Sequence, residues 1–285
     1  MHLAYIDWDI DPVMVTLGPL DIRYYSVLFA IAFWMGYVIM SRMFRLEKVP
    51  EEWCDKIFIY TIIATIIGAR LGHVIFYGWD FYSKHPVEIL KVWEGGLSSH
   101  GGAIGILIAL YIYHKKVSRR SYLWVLDHIV IPTALAGFFI RTGNLFNSEI
   151  IGAPTDLPWA FRFLRIHPDL AIVPRHPSQI YEATFYLCVF IVLWYLYNKK
   201  NFIQREGAIF GIFLICVFGF RILIENIKAD QEPWEADMLL NMGQILSIPF
   251  VLLGIFCFVR AMRRPLKIWG PAPGYVDKKV ETKKK

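Results

Sequence analysis

Little in this sequence would keep it dissolved in water. Asp, Glu, Lys and Arg make up only 19% of its 285 residues, against 56% hydrophobic and 16% aromatic, which excludes an ordinary soluble domain. Its four cysteines, Cys54, Cys188, Cys216 and Cys257, show no metal-ligand spacing; three fall inside apolar runs and read as small packing residues. No His-Glu-x-x-His occurs, which removes a metalloprotease of that type. No internal repeat with a period of about 20–50 residues is visible, so an array architecture is excluded. Basic residues are missing before Arg23, where Asp7, Asp9 and Asp11 stand instead. The basic head of a cleavable signal peptide is therefore absent, and the first apolar run is expected to act as an uncleaved anchor.

What the sequence does have is long apolar runs. A helix of about 20 residues at 1.5 Å per residue crosses the roughly 30 Å hydrocarbon layer. Seven runs are read as spans: Tyr24–Phe44, Ile57–Tyr77, Ala103–Tyr113, Leu123–Leu145, Ile180–Tyr197, Ala208–Ile224 and Met238–Val259. The third is short and is expected to borrow the Gly-rich stretch from Ser98. Spans six and seven contain no lysine, which excludes a retinal-type photoreceptor, since that chemistry needs a Schiff-base amine in a late helix. The fold expected is all-α integral membrane, a single membrane domain over residues 1–285. An insert at residues 147–177 joins spans four and five, and a basic tail at residues 265–285 is expected to be solvated and disordered.

The loops give the orientation. Arg42, Arg45 and Lys48 follow span one; Lys115, Lys116, Arg119 and Arg120 follow span three; Lys199, Lys200 and Arg205 follow span five; Arg260, Arg263, Arg264 and Lys267 follow span seven. The opposite loops are poorer in basic residues. Positive loops stay in the cytoplasm, which puts the N-terminus outside, the C-terminus in the cytoplasm and the insert in the periplasm. The net charge of +6 is thus a topological and lipid-facing feature and not a nucleic-acid signal.

Charged groups at membrane depth cost about 2.5–3.5 kcal/mol each on insertion scales and need a reason. Arg70 and His73 close span two, Arg141 and Asn144 close span four, and Arg221 with Glu225 closes span six as an i,i+4 pair. His100 lies in the Gly-rich entry to span three and Tyr25 at the entry to span one. With alternating spans, all of these fall toward the outer face. Several guanidinium groups in a partly dry site suit a phosphate; at that depth the phosphate is a lipid headgroup, and a histidine with a reference pKa of about 6.5 can accept a proton at neutral pH. Asp127 and His128, toward the other end of span four, read as structural. His176, in the insert, is a second candidate base whose plainer reading is loop anchoring.

The stretch Arg141-Thr-Gly-Asn-Leu-Phe-Asn-Ser-Glu-Ile-Ile-Gly152 resembles the signature of bacterial prolipoprotein diacylglyceryl transferases. Four more stretches fit in the same order: Gly95-Gly-Leu-Ser-Ser-His-Gly-Gly102, Arg175-His-Pro-Ser-Gln-Ile-Tyr-Glu182, Arg221-Ile-Leu-Ile-Glu225 and Met242-Gly-Gln-Ile-Leu-Ser-Ile-Pro249. The resemblance implies an inner-membrane transferase with its active site toward the periplasm. It would move the diacylglyceryl group of phosphatidylglycerol to the lipobox cysteine, just after the signal helix of a preprolipoprotein. A thioether forms, glycerol phosphate leaves, and no metal or soluble cofactor is implied. By motif position, Arg141, Asn144, Glu149, Gly152 and Arg221 bind substrate; Arg141, Arg221, Tyr25 and Glu225 act in catalysis, with His100 as the proposed base. Thr142, Ser148 and Ile151 depart from the common pattern between the polar positions. Lys228 stands where some members carry a further Arg, which weakens any role carried over to that position. The alternative is a polytopic lipid or solute transporter, which would place polar groups at mid-depth in both halves of the membrane.

Overall fold

The computed structural model describes residues 5–228 and 240–275. The expected start of span seven at Met238 and the end of the basic tail, residues 276–285, lie outside the described residues. The described chain is built on α1 (Tyr24–Leu46), α2 (Glu51–Tyr77), α3 (Ser99–Tyr113), α4 (Tyr122–Phe146), α5 (Ser178–Tyr197), α6 (Ala208–Ile224) and α7 (Met242–Arg263). Six helices are long and apolar enough to cross a bilayer: α1, α2, α4, α5, α6 with its following turn to Ile227, and α7. This is the pattern of a multi-pass membrane protein. The third run forms α3, which starts at Ser99 as the borrowed Gly-rich entry suggested, but at 15 residues it falls short of that length. A π-helical turn, His114–Ser118, carries it on.

The chain divides into two compact units, Met1–Ile39 with Asp127–Lys267, and Met40–Leu126 with Ile268–Lys285. Unit one holds most of α1 and α4 and all of α5, α6 and α7. Short strands precede and interrupt its helices: β1 (Ile6–Trp8), β2 (Val13–Leu17), β3 (Leu20–Arg23) and β4 (Phe161–Phe163). β2 and β3 form a hairpin turning at Gly18, while β1 pairs in parallel with β4, Asp7 opposite Arg162. The three aspartates of the N-terminal segment are thereby spent. Arg162 grips Asp7 through two bonds of 2.6 and 2.8 Å, and Arg165 reaches Asp9 and Asp11, each at 3.0 Å. Under them Leu145, Phe161 and Phe163 make a small core with Trp8, whose indole N–H donates to the Leu145 carbonyl at 3.0 Å.

Elsewhere in unit one, α6 and α7 meet backbone to backbone: a Cβ added to Gly211 would stand 2.7 Å from the Gly254 carbonyl oxygen. Small residues let membrane helices approach this closely and gain dispersion energy where no hydrophobic drive exists. The start of α6 is capped by a side chain from α4. Asp127, buried, accepts from the backbone N–H of Gly207 at 2.6 Å and of Phe210 at 2.8 Å, a carboxylate at the positive end of a helix dipole.

Unit two is organised around α2 and α3, which also meet through small residues. A Cβ on Gly68 would stand 2.5 Å from the Gly101 carbonyl, and one on Gly105 2.5 Å from that of Ala64. The described start of the expected disordered tail is held and not free. Arg120 lies between the rings of Trp124 and Trp269 at 4.6 and 5.4 Å, pairs with Glu47 at 3.1 Å, and donates to the Gly270 carbonyl at 3.0 Å. The Ala272 N–H then donates to the Lys48 carbonyl at 3.0 Å. A buried guanidinium with unspent donors captures passing backbone, and this stretch supplies it.

Candidate active site

Four helices of unit one bring charged or phenolic groups to one end. The last two turns of α4 supply Arg141 and Asn144, the first turn of α1 supplies Tyr25, the first turns of α5 supply Glu182, and the end of α6 supplies Arg221, followed by Glu225 and Lys228 in a tightened turn. These groups are joined in a line. Arg141 Nε lies 2.9 Å from Glu182 Oε2; Glu182 Oε1 lies 2.8 Å from Lys228 Nζ. Lys228 Nζ is 3.5 Å from Glu225 Oε1, and the same oxygen is 3.5 Å from Arg221 Nε. The Arg141–Glu182 contact is an ion pair without hydrogen-bond alignment.

Burial grades along the line. The side chains of Glu182, Lys228 and Glu225 are 4, 5 and 7% exposed, whereas Arg221 is 45% exposed. The interior of the line is thus a desolvated set of alternating charges, in which each ion offsets the cost of burying its neighbour. Its ends are guanidinium groups. Arg141 also hydrogen-bonds the Tyr186 hydroxyl.

Tyr25 packs against Gly143. A Cβ there would stand 2.7 Å from the Tyr25 ring, so only glycine lets α1 come this close to the end of α4. The Tyr25 hydroxyl feels the charges of both Arg141 and Glu149. Asn144 accepts from Arg141 Nη1 at 3.3 Å. Past the helix, Ser148 and Ile150 take left-handed backbone, with φ of 52° and 58°, which turns the chain sharply. Gln179 pins that turn by donating to the Glu149 carbonyl at 2.8 Å, and Ser178 donates to the Ile150 carbonyl at 2.8 Å. The Glu149 side chain is exposed and accepts from Asn147 at 2.7 Å.

Gly152 is placed in a backbone seam. Its N–H donates to the His176 carbonyl at 3.1 Å, Arg175 donates to its carbonyl at 3.2 Å, and Ala153 N–H donates to the Ile227 carbonyl at 2.9 Å. The seam fixes the residue before Lys228. On the Arg221 side, Gly243 lets α7 close on Glu225: a Cβ there would stand 2.8 Å from the carboxylate. Asn241, which caps α7, reaches Glu225 Oε2 at 3.5 Å.

Three sequence-predicted groups, His100, Arg70 and His73, lie in unit two. His100 sits exposed in the first turn of α3, whose start is capped by Ser98 accepting from Gly101 at 3.4 Å. Arg70, expected among the phosphate-facing groups, is consumed by its own loop. It is buried, stacks on Tyr82 at 5.0 Å, and donates to the carbonyls of Glu88, Ile89 and Gly95. His73 packs beside it, where Gly96, with φ of 67°, leaves room for both rings and guanidinium. Arg70 is a rivet for residues 86–96, because a buried guanidinium must satisfy its donors and these carbonyls are nearest.

His176, the other candidate base, lies outside the helices in unit one, its Nδ1 3.4 Å from the Tyr181 hydroxyl. Partial burial holds its pKa below the ordinary histidine value, so the ring is neutral. Sequence reasoning missed Glu182 and Lys228 as parts of the site. Glu182 closed one of the quoted motifs without a role, and Lys228 was discounted for not being Arg.

Comparison with known proteins bears on this arrangement. A family model described as prolipoprotein diacylglyceryl transferase matches residues 12–260. The chain is 47% identical over 274 residues to the phosphatidylglycerol–prolipoprotein diacylglyceryl transferase of Porphyromonas gingivalis, covering 92% of this chain and 97% of the relative. It is 45% identical over 261 residues to the protein of that name from Chloroherpeton thalassium, covering 92 and 96%. It is 46% identical over 248 residues to that from Tolumonas auensis, covering 87 and 94%.

Proposed function

The chain belongs to the prolipoprotein diacylglyceryl transferase family, and from that membership we propose how its own residues perform the transfer. The enzyme moves the diacylglyceryl group of phosphatidylglycerol to a prolipoprotein. The acceptor is the lipobox cysteine thiol, the bond formed is a thioether, and glycerol phosphate is released. The observation that carries the residue assignment is the line of ion pairs that runs from Arg141 through Glu182, Lys228 and Glu225 to Arg221.

A free thiol has a pKa near 8.5, so only a few per cent is thiolate at pH 7. Once deprotonated, sulfur attacks the glyceryl carbon bonded to the phosphate oxygen. The sulfur–carbon bond forms, the carbon–oxygen bond breaks, and the electron pair leaves with the phosphate, whose negative charge increases by one. Arg141 and Arg221 face that increase and stabilise it in the transition state more than in the bound lipid. Glu182 and Glu225 contact the Nε edges of the two guanidinium groups. Tyr25 donates to the phosphate or headgroup, Asn144 orients Arg141, and Glu149 lies at the headgroup glycerol. Gly152 serves the site through its backbone seam. The thiol proton is assigned to His100 on its motif position alone.

Contacts within unit one also support the seven-span topology. Tyr25, at the start of α1, packs on Gly143, at the end of α4. Between them the chain must cross the membrane an even number of times, and α1, α2 and α4 give an odd number. This supports α3 with its π-helical turn as a further crossing, seven spans in all. Ser99–Ser118 is about 30 Å long at helical rise. The β1–β4 pairing keeps the N-terminal segment and the insert at residues 147–177 on one side, and the positive loops favour the periplasm for that side. The cytoplasmic membrane of a bacterium is the proposed location.

The test is mass analysis of a lipobox peptide incubated with enzyme and phosphatidylglycerol. The wild type adds one diacylglyceryl unit. Arg141→Ala and Arg221→Ala abolish transfer while still yielding folded protein; normal turnover in both refutes the clamp. Near-normal turnover in His100→Ala removes that residue as the base. Solute or lipid flux into proteoliposomes without any mass gain would favour the transporter reading.

A further inference from the structure

We propose that Glu182 and Lys228 are positioning residues, a buried bridge that couples Arg141 and Arg221 into one clamp. The inference rests on the transferase reading above and deepens it.

Lys228 would ordinarily be read as a lysine near a membrane boundary stretching its ammonium to water. Its position excludes that. The side chain is 5% exposed, and its Nζ lies 2.8 Å from Glu182 and 3.5 Å from Glu225. It is the one described cation that touches both carboxylates. Each carboxylate in turn touches a single arginine, Glu182 on Arg141 and Glu225 on Arg221. Without the ammonium, two buried carboxylates from α5 and from the end of α6 would share a dry region with nothing between them. With it, the order of charges alternates from one guanidinium to the other.

The geometry at each arginine gives the bridge its purpose. Both carboxylates contact Nε. A guanidinium presents donors in a rigid fork, so holding the Nε edge fixes the direction of the terminal nitrogens. Arg141 offers one of these to Asn144, while Arg221, 45% exposed, is held at Nε by Glu225. The bridge thus sets the mutual angle of two forks that must meet one phosphate.

The backbone supports the same role. Lys228 is tied to Gly152 by an isolated bridge, Ala153 N–H bonds the Ile227 carbonyl, and the Lys228 N–H donates to the Glu225 carbonyl at 3.3 Å. The ammonium is therefore aimed from a fixed main chain. The amine on a four-carbon stem suits a place where one point charge must serve two carboxylates, which a planar fork does by different geometry.

The experiment compares Lys228→Met, Lys228→Arg and Glu182→Gln with the wild type, full-length in detergent with phosphatidylglycerol and a lipobox peptide. Loss of the bridge is expected to lower kcat about 100-fold, the scale of a misplacement near 1 Å, with KM for phosphatidylglycerol changed far less. Lys228→Arg restores most of the rate. Glu182→Gln, which keeps the size of the side chain, reproduces the loss of kcat and serves if Lys228→Met does not fold. A wild-type kcat in both Lys228→Met and Glu182→Gln overturns the bridge while an inactive Arg221→Ala leaves the clamp standing. A raised KM at unchanged kcat overturns it too, since Lys228 then grips the headgroup directly. Activity in the arginine variants themselves would instead sink the transferase clamp.

Discussion

Gly152→Ala separates a residue that touches substrate from one that places others. The added Cβ would lie 2.5 Å from the His176 Cβ and carbonyl oxygen and 3.0 Å from the Ile227 carbonyl oxygen. Two of these three contacts are backbone atoms, so no side-chain rotation relieves them. The seam must open by something near 1 Å. Overpacking of this kind costs about 1–3 kcal/mol, and the two strained bonds, Gly152 to His176 and Ala153 to Ile227, add about 1 kcal/mol each if lost. A total of about 3–5 kcal/mol with both bonds lost leaves a folded enzyme with a lowered melting temperature. The activity loss should be larger. Opening the seam moves Ile227 and hence Lys228, and a shift of that size at a catalytic group costs on the order of 100-fold in rate. The assay is diacylglyceryl transfer at saturating lipid, run beside thermal unfolding in detergent. Gly219→Ala is the control, since nothing lies within 4 Å of its Cβ position. Unchanged kcat and melting in Gly152→Ala would refute the reasoning. A pure rise in KM would show that Gly152 meets the lipid itself.

Two further outcomes test the structure around the site. Asp127→Ala removes the cap on α6 and leaves two backbone N–H groups without their acceptor; a loss of about 1–3 kcal/mol should appear as a lower melting temperature with kcat of the folded fraction unchanged. His176 has its pKa lowered by burial, so the unfolded chain binds its proton first as pH falls. The stability it contributes is full above the ordinary histidine pKa of about 6.5 and is lost as pH drops through the lower folded value. His176→Gln should flatten melting temperature against pH between roughly 7 and 5, and an unchanged slope would contradict this.

The helices were legible because each apolar run approaches the thickness of a bilayer, and even the short third run announced its Gly-rich start. The N-terminal strands were not, because three residues of β1 make no periodic signal and their partner β4 lies far along the chain. Arg141, Asn144, Arg221 and Glu225 stood out as polar groups at the ends of apolar runs. Arg70 met the same criterion and served a different end, because sequence shows that a guanidinium is buried but not which carbonyls surround it. Glu182 and Lys228 escaped for the converse reason. A glutamate in the opening turns of a helix and a lysine just past another are each unremarkable alone. Only their 2.8 Å contact gives them meaning.

The glycine-lined joints carry a consequence for traffic. On the proposed reading, a lipid and a signal helix both enter from the plane of the bilayer. Where α2 meets α3, and where α6 meets α7, main chain rests on main chain at Gly68, Gly101 and Gly105 and at Gly211 and Gly254. Prising either pair apart forfeits dense packing that lipid tails cannot replace. On that reading those two joints are welds, and substrate enters along other edges of the helices.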